Sequence, residues 1–542
     1  MRKTLFRSPR HRLWLGIVIG LLLLSTYLLW PLTSSEWEIR FDAEKIAFKE
    51  KFLRLQKAEI SSDRPNIIII LADDLGKTDI SLYGSPHLQT PWMDSLGLKG
   101  ATFTEAYVTA PICSPSRAAL LTGRYQQRFG YEYQPQNRYL RNRLEYLGVK
   151  YFLDTDFWTL SEGMSFPDRE NMTRQGLPPE EITLADLLKK QGYHTGIIGK
   201  WHLGHHQPFL PNHRGFDYQY GFYEAFSLFA DTNAVGIVNQ RHPDFSDPHI
   251  WGQGREGTCA IRRNDEIIEE KEYLTFAIAR EARQFITKHQ KQPFFLYLPF
   301  NAPHTPFQVT KAYFDRFVHV KDRNKRVYYA MIQALDDAIG QIVQHLRELG
   351  LEKNTLICFA SDNGGASYTY ATDNAPLKGG KMTNFEGGIN IPMMMYWPGV
   401  IPAGQEITYP VTVMDFFATA IGLAQADLPQ DRTYDGQDLL PLLTQAKQAA
   451  PHKALFWRTD FNRAVRKGPW KLILNLHQGD TLLYHLTQDK TEHINRARQH
   501  PDMIRQLLRA YQEWEKGLEA PRWPRVMDFV IEIRDTLYRF AM

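Results

Sequence analysis

The stretch PNIIIILADDLG, residues 65–76, decides the fold. Four consecutive isoleucines followed by Leu71 and Ala72 leave no polar position on either face. The run is too short to cross a bilayer, so it reads as a strand buried on both sides, of the kind found in parallel sheets covered by helices. Similar runs recur in YHTGIIGKWHLG from Tyr193, PFFLYLPFNAPH from Pro293 and TLICFASDNGG from Thr355. Helical patterns lie between them, in ITLADLLKKQG from Ile182, FAIAREARQFITKHQ from Phe276 and VYYAMIQALDDAIGQIVQHLREL from Val327. Strands alternating with helices predict an α/β fold, a mostly parallel central sheet sandwiched by helices.

Outward from that body, residues 65–450, the texture changes twice. From about Pro451, FNRAVRKGPWKLILNL and TLLYHL alternate around a Gly-Pro turn, and helical MIRQLLRAYQEWEKGL follows. Residues 451–542 therefore read as a smaller α+β subdomain with an antiparallel sheet and a helical tail, its amphipathic end from Pro521 packing on the body. At the other end, Arg2, Lys3, Arg7, Arg10 and Arg12 precede an apolar run from Leu13 to Trp30. That run is long enough to span a membrane. The basic flank, residues 1–12, should stay in the cytoplasm and place the rest on the periplasmic or extracellular side. WPLTSSEW lacks the small residues of a cleavage site, which favours an uncleaved signal anchor at 13–30 over a cleaved signal peptide. Residues 31–64, charged with near-helical apolar spacing, read as a stalk lifting the body off the membrane.

Composition excludes several classes. Lys and Arg number 64 against 60 Asp and Glu, so no bulk basicity points to nucleic acid. Three cysteines cannot build a disulfide scaffold, and whether Cys259 and Cys358 pair stays open. Two stretches, Arg124 to Pro179 and Gly221 to Arg263, are aromatic without periodicity and read as long insertions shaping a substrate pocket. Their aromatic residues, Tyr131 to Trp158 and Phe222 to Phe229, offer stacking surfaces suited to sugar rings, although aromatics in loops more often pack.

Chemistry gathers at the strand ends, where ligands bind in doubly wound sheets. The first strand delivers Asp73 and Asp74; the last delivers Asp362 and Asn363. Taken singly, each pair could be a turn or a helix cap. Together, three carboxylates and an amide oxygen suit a hard cation, Ca²⁺ or Mg²⁺. The middle strands deliver Lys200, His202 and His304, which beside a metal-held anion could stabilise charge on its oxygens and protonate a leaving group. Otherwise they are a solvated lysine and structural histidines. His205 and His206 lack the spacing of a zinc site.

The stretch TAPICSPSRAALLTGR, residues 109–124, completes the set. Pro115 suits a first helical turn and Ser114 can cap, so a helix should begin just after Cys113. Free N–H groups, the positive dipole end and Arg117 one turn in suit phosphate or sulfate, and would favour a thiolate. A small buried core cysteine is the plainer alternative.

DDLG, CSPSR with LTGR, GKWHLG, NAPH, SDNGG and KMTNFEGG, in that order from Asn66 to about Gly399, together resemble the formylglycine-dependent type I sulfatases of the alkaline-phosphatase-like superfamily. GPWKLI and LYHL are similar to that family's smaller subdomain. The resemblance implies that Cys113 is oxidised to formylglycine by a maturation enzyme, and that the aldehyde hydrate, not a thiolate, is the nucleophile. It implies Ca²⁺, with Mg²⁺ as the alternative, held by Asp73, Asp74, Asp362, Asn363 and an oxygen of modified Cys113. Lys200, His304 and Lys381 would bind sulfate oxygens or assist the leaving group, while Arg117 and His202 hold the nucleophile. Lys381 rather than Lys378 fits the family's register, five residues before the EGG that begins at Glu386. The expected activity is hydrolysis of a sulfate ester, of a small molecule or more specifically a carbohydrate. The rivals are a phosphonate or phosphate ester hydrolase of the same superfamily and a non-catalytic, membrane-tethered sugar-binding protein.

Overall fold

The computed structural model describes residues 9–54, 64–152, 157–242, 246–444 and 449–542. Five neighbouring parallel strands form the heart of a ten-stranded sheet: β1 (Asn66–Ala72), β2 (His194–Lys200), β3 (Tyr218–Phe222), β4 (Phe294–Pro299) and β5 (Thr355–Ser361), in the spatial order β5-β1-β4-β2-β3. Antiparallel Met393–Tyr396 extends the sheet beyond β5, and the short Arg262–Arg263 and Glu266–Ile267 pair extends it beyond β3.

β1 is central because its sequence can be buried twice. Ile67 and Ile69 enter one core with helices α3 (Cys113–Thr122) and α5 (Leu184–Lys190), through residues such as Leu120 and Leu187. Ile68 and Ile70 enter the opposite core with α6 (Leu274–His289) and α7 (Arg323–Glu348), through Ile278 and Leu335. Each fully buried isoleucine contributes about 1.5–3 kcal/mol. Register is set on both sides, with Ile68 opposite Leu296 of β4 and Ile357 of β5. The expected parallel sheet between helical layers is what the chain forms.

The N-terminal helix α1 (Pro9–Leu29) has a mean hydropathy of 1.9 and no buried residue, so it is long and apolar enough for an anchor or signal helix. Residues 1–8, with most of the basic flank, lie outside the described residues. The stalk expectation is corrected. Pro31 and Thr33 bridge to Asn142 and Phe166, and helix α2 (Ala43–Arg54) packs against α5. Lys49, one of the charges of that segment, is buried: its Nζ lies 3.2 Å from Asp186 and donates to the carbonyl of Glu181 at 2.7 Å. Asn171 Oδ1 accepts from the Ile39 amide at 2.7 Å. At least through Arg54, the segment belongs to the body.

The C-terminal subdomain holds a four-stranded antiparallel sheet, β6 (Leu455–Thr459), β7 (Asn462–Lys467), β8 (Trp470–Asn475) and β9 (Asp480–His485), covered by helix α8 (Pro501–Glu515). The tail after Pro521 packs on the body but is not helical. Met527–Ile533 (β10) and Thr536–Ala541 (β11) form a hairpin, and β10 adds to Trp158–Leu160 of the first insertion. Arg534 and Asp535 both have positive φ, the backbone of a tight hairpin turn.

Candidate active site

Four strand ends converge on the N-terminus of α3. Cys113 is the first residue of that helix, and its Sγ lies 3.5 Å from Asp73 Oδ1 and 3.8 Å from Asp74 Oδ1. Asp73, Asp74, Cys113 and His304 each present a ligating atom within 4.8 Å of the others. Arg117, one turn along α3, forks onto Asp362 Oδ2 through Nε at 2.9 Å and Nη2 at 2.6 Å, and reaches Asp73 at 3.3 Å. Lys200, ending β2, lies 2.8 Å from Asp73 Oδ2. Lys381 lies 2.8 Å from Asp74 Oδ1, and His304 Nε2 lies 3.7 Å from Asp74 Oδ2. Asp74 and His202 both hold left-handed backbone, with φ of 62° and 56°. Such strain in non-glycine residues persists where the surroundings over-determine it.

Ser114 does not cap the helix. Its hydroxyl donates to the His202 carbonyl at 2.6 Å and meets the Tyr131 hydroxyl at 2.7 Å, fixing the loop that carries His202. Lys378 lies apart from the cluster. Its Nζ donates to Tyr538 Oη at 3.1 Å and sits 4.1 Å from the centre of the Phe385 ring. Burial brings it down to about 8.

Buried charges here decide one another's state. Burial pushes both Asp73 and Asp362 upward; for Asp73 the Lys200, His304 and Arg117 charges win and hold it at about 2. Asp362, which also faces the Asp73 carboxylate, stays above its ordinary range. Burial and then the Asp362 charge push the Cys113 thiol well up, so the helix N-terminus does not make a thiolate of it. Burial, Lys200 and Arg117 together hold His202 well below the ordinary imidazole value. His304 Nδ1 lies 2.6 Å from the Thr305 carbonyl, which assigns the proton to Nδ1 and leaves Nε2 facing the cluster.

A cation fits this set. Asn363 donates its Nδ2 to Asp74 Oδ1 at 2.7 Å and to the Gly364 carbonyl at 2.9 Å, while its Oδ1 is buried with no hydrogen-bond partner. An orphaned amide oxygen beside three buried carboxylates is the donor set a hard, oxygen-preferring ion takes.

A family model for sulfatases matches residues 65–426. The chain belongs to the sulfatase family. Human steryl-sulfatase is 34% identical over 492 residues, covering 78% of this chain and 77% of the relative. Mouse N-acetylgalactosamine-6-sulfatase is 35% identical over 415 residues, covering 76% and 72%. Among solved structures, that of Ps i-CgsB in complex with k-i-k-neocarrahexaose superposes with a TM-score of 0.70 at 30% identity, over 85% of this chain and 94% of the other. This sulfatase is a sulfuric ester hydrolase, and neither the phosphorus-ester reading nor the non-catalytic reading is favoured by these likenesses.

Other features of the sulfatase depart from what the sequence suggested. Tyr131, Tyr133, Tyr139, Trp158, Phe222, Tyr223, Phe226 and Phe229 are all buried, so these aromatics of the insertions pack and do not present stacking faces. Tyr131, for example, meets Trp523 edge-on at 5.1 Å. What the insertions bring near His202 is polar. The His202 amide donates to the Tyr223 carbonyl, and the next residue, Glu224, lies 3.2 Å from His205 Nε2, accepts from Thr258 Oγ1 at 3.0 Å and from Asn137. Nothing in the sequence ties Asn137 to Glu224. A second missed group is Lys471 of β8, which lies 2.8 Å from Glu386 and 2.9 Å from Glu492. Its position in GPWKLI was the only available signal. The three cysteines are free and buried, so Cys259 and Cys358 do not pair.

Proposed function

We propose that this sulfatase hydrolyses the sulfate ester of a sulfated carbohydrate through a formylglycine made from Cys113, with Ca²⁺ bound beside it. The observation that carries the reading is the convergence of Asp73, Asp74, Asp362 and the orphaned Asn363 oxygen with Lys200, Lys381, Arg117 and His304 around the first residue of α3. Asp73, Asp74, Asp362 and Asn363 would hold the ion, which supplies positive charge to a sulfate oxygen. The hydrated aldehyde would supply one hydroxyl to attack sulfur with loss of the alcohol, and a second whose deprotonation would expel sulfate and restore the aldehyde.

The remaining steps belong to the chain's own side chains. Lys200, Lys381 and His304 orient the sulfate and offset charge on its oxygens as the ester bond breaks, acting in a buried site where such charges are strong. Lys381 protonates the departing alcohol oxygen, or His304 does so once its Nε2 also carries a proton. His202, kept neutral by burial and by Lys200, takes the proton of the second hydroxyl. Arg117, pinned by its fork to Asp362, holds position at the helix N-terminus.

A carbohydrate is supported by the likeness to a relative named for N-acetylgalactosamine 6-sulfate chemistry and to a structure holding a neocarrahexaose. The polar Glu224, His205 and Asn137 group beside His202 suits sugar hydroxyls better than an apolar ring system. α1 anchors the protein, with the catalytic body on the periplasmic or extracellular side.

Peptide mass spectrometry across Cys113, after co-expression with a maturation enzyme, tests the nucleophile: the aldehyde mass is expected, and thiol alone would overturn it. Sulfate release measured across a panel of sulfated sugars tests the substrate class. Activity confined to aryl or steryl esters would overturn that part.

A further inference from the structure

Helix α4 (Arg143–Phe152), in the first insertion, carries an apolar stripe that the described residues cover only in part, leaving Leu144 and Tyr151 exposed. Leu144, Leu147, Gly148 and Tyr151 recur at the spacing of one helical face, and no residue of α4 is buried. Leu144, Tyr151 and Phe152 are 52%, 69% and 86% exposed. The other side of α4 is where it meets the body, with Tyr146 packed against the cluster of Leu32, Tyr139 and Phe166. Arg141 and Lys150 flank the stripe and are exposed.

Position gives the stripe its meaning. The chain leaves α1 at Leu29 and is fastened at once to the segment that opens α4. Pro31 bridges to Asn142, the Leu32 amide donates to the Arg141 carbonyl at 3.1 Å, and the Arg143 guanidinium sits 4.6 Å from the centre of the Tyr27 ring. α4 is therefore held beside the end of the apolar run of α1. Trp30, also exposed, lies at the same level.

We infer that α4 is a second membrane contact, lying in the interfacial layer of the phospholipid bilayer that α1 spans. This rests on the reading of α1 as an anchor. A short helix with aliphatic and aromatic residues on one side, flanked by Arg and Lys, matches the layered chemistry of acyl chains below phosphate groups. Tyr27, Trp30 and Tyr151 form the aromatic belt expected at that depth. The patch continues the apolar surface of α1, which commits it to lipid. One spanning helix alone would leave the catalytic body free to swivel; a second contact fixes which side of the body faces the membrane.

The test uses the full-length chain in vesicles of phosphatidylcholine and phosphatidylglycerol, with single cysteines at Leu144→Cys or Tyr151→Cys carrying an environment-sensitive fluorophore. The native Cys113, Cys259 and Cys358 are buried and stay unlabelled. Lys150→Cys reports the charged flank of the same helix, Leu21→Cys reports α1, and retained aryl sulfate turnover shows that each variant is folded. Nitroxides placed shallowly on the lipid acyl chains should quench Tyr151→Cys and Leu144→Cys several-fold more than Lys150→Cys, while deep nitroxides quench Leu21→Cys. If Leu21→Cys is quenched but both α4 labels remain open to aqueous iodide, the inference is overturned and the anchor stands. If the α4 labels are shielded without lipid quenching and the chain crosslinks to itself, the face belongs to a second copy and the inference is again overturned. If Leu21→Cys is not quenched, the anchor reading falls and takes this one with it.

Discussion

Replacing Lys471 with methionine should reveal how the C-terminal subdomain supports the catalytic body. Its ammonium lies between two fully buried carboxylates, 2.8 Å from Glu386 and 2.9 Å from Glu492. Glu386 would keep the Tyr107 hydroxyl and Asn390 amide, each at 2.8 Å, and Glu492 would keep the Glu386 backbone amide at 2.8 Å. Removing one partner of a buried ion pair costs about 3–5 kcal/mol. With about 2.1 cal/mol/K of unfolding entropy per residue, a cooperative unit of roughly 480 residues gives about 1 kcal/mol/K, so the thermal midpoint should fall by about 3–5 °C.

The pH dependence of that loss has a definite sign. Burial pushes Glu492 up to about 7, whereas Lys471 and Arg466 overcome the burial of Glu386 and hold it at about 2. A raised carboxylate binds more protons folded than unfolded, so its contribution falls as pH rises from the unfolded value, about 4.5, through the folded one. Without Lys471 both carboxylates move upward, and the midpoint difference between wild type and variant should be larger near about pH 8 than near about pH 5.5. Adding Glu492→Gln removes one of the two facing charges and should recover part of the loss. The Gly387 amide, next to Glu386, donates to the Lys378 carbonyl at 2.7 Å and closes the loop that carries Lys381, so kcat/KM on an aryl sulfate should fall as well. Thermal unfolding of the three proteins at both pH values is the assay. A midpoint shift below about 1 °C, a shift independent of pH, or no recovery in the double variant would refute the reasoning.

Three further outcomes are expected. Chelation should abolish turnover and Ca²⁺ restore it, and Asn363→Ala should raise the Ca²⁺ needed for half-maximal activity by about 10–100-fold. Lys381→Met should lower kcat by about 10²–10³-fold, the scale of losing a charge aimed at the reacting group, whereas Lys378→Met, which loses its Tyr538 and Phe385 contacts, should leave kcat near wild type. Lys49→Met leaves Asp186 buried without its 3.2 Å partner and should destabilise the body by about 3 kcal/mol, measured by denaturant unfolding; a neutral result would return residues 43–54 to the role of a solvated stalk.

What could be read from the sequence was what local pattern dictates. Ile67 to Ile70 announce a strand buried on both faces because no other placement hides four β-branched residues in a row. The polar residues after β1, β2, β4 and β5 point to one edge because parallel strands end on the same side. Long-range partners left no such trace. Lys49 looks like any lysine of a charged helix until Asp186 and the Glu181 carbonyl receive it. The two-residue alternation in Asp528 to Ile533, where Phe529 and Ile531 turn inward, was hidden by charges that also suit an amphipathic helix, and the turn at Arg534 and Asp535 has no glycine to mark it. Aromatic residues in the insertions gave no indication of whether they face a ligand or a core. Most of them are buried, Tyr151 and Phe152 being exposed, and this moved the case for a sugar onto Glu224, His205 and Asn137.

The central claim is that the Cys113 site hydrolyses sulfate esters. Its most direct test is the kcat/KM of the matured full-length protein on an aryl sulfate and on the matching aryl phosphonate, for wild type and Cys113→Ser side by side, with inorganic sulfate quantified. The sulfate ester should be the better substrate, with one sulfate released per alcohol, and Cys113→Ser should be folded and inactive where the maturation machinery accepts only cysteine. A higher kcat/KM on the phosphonate, or a wild-type rate in Cys113→Ser, would contradict the account.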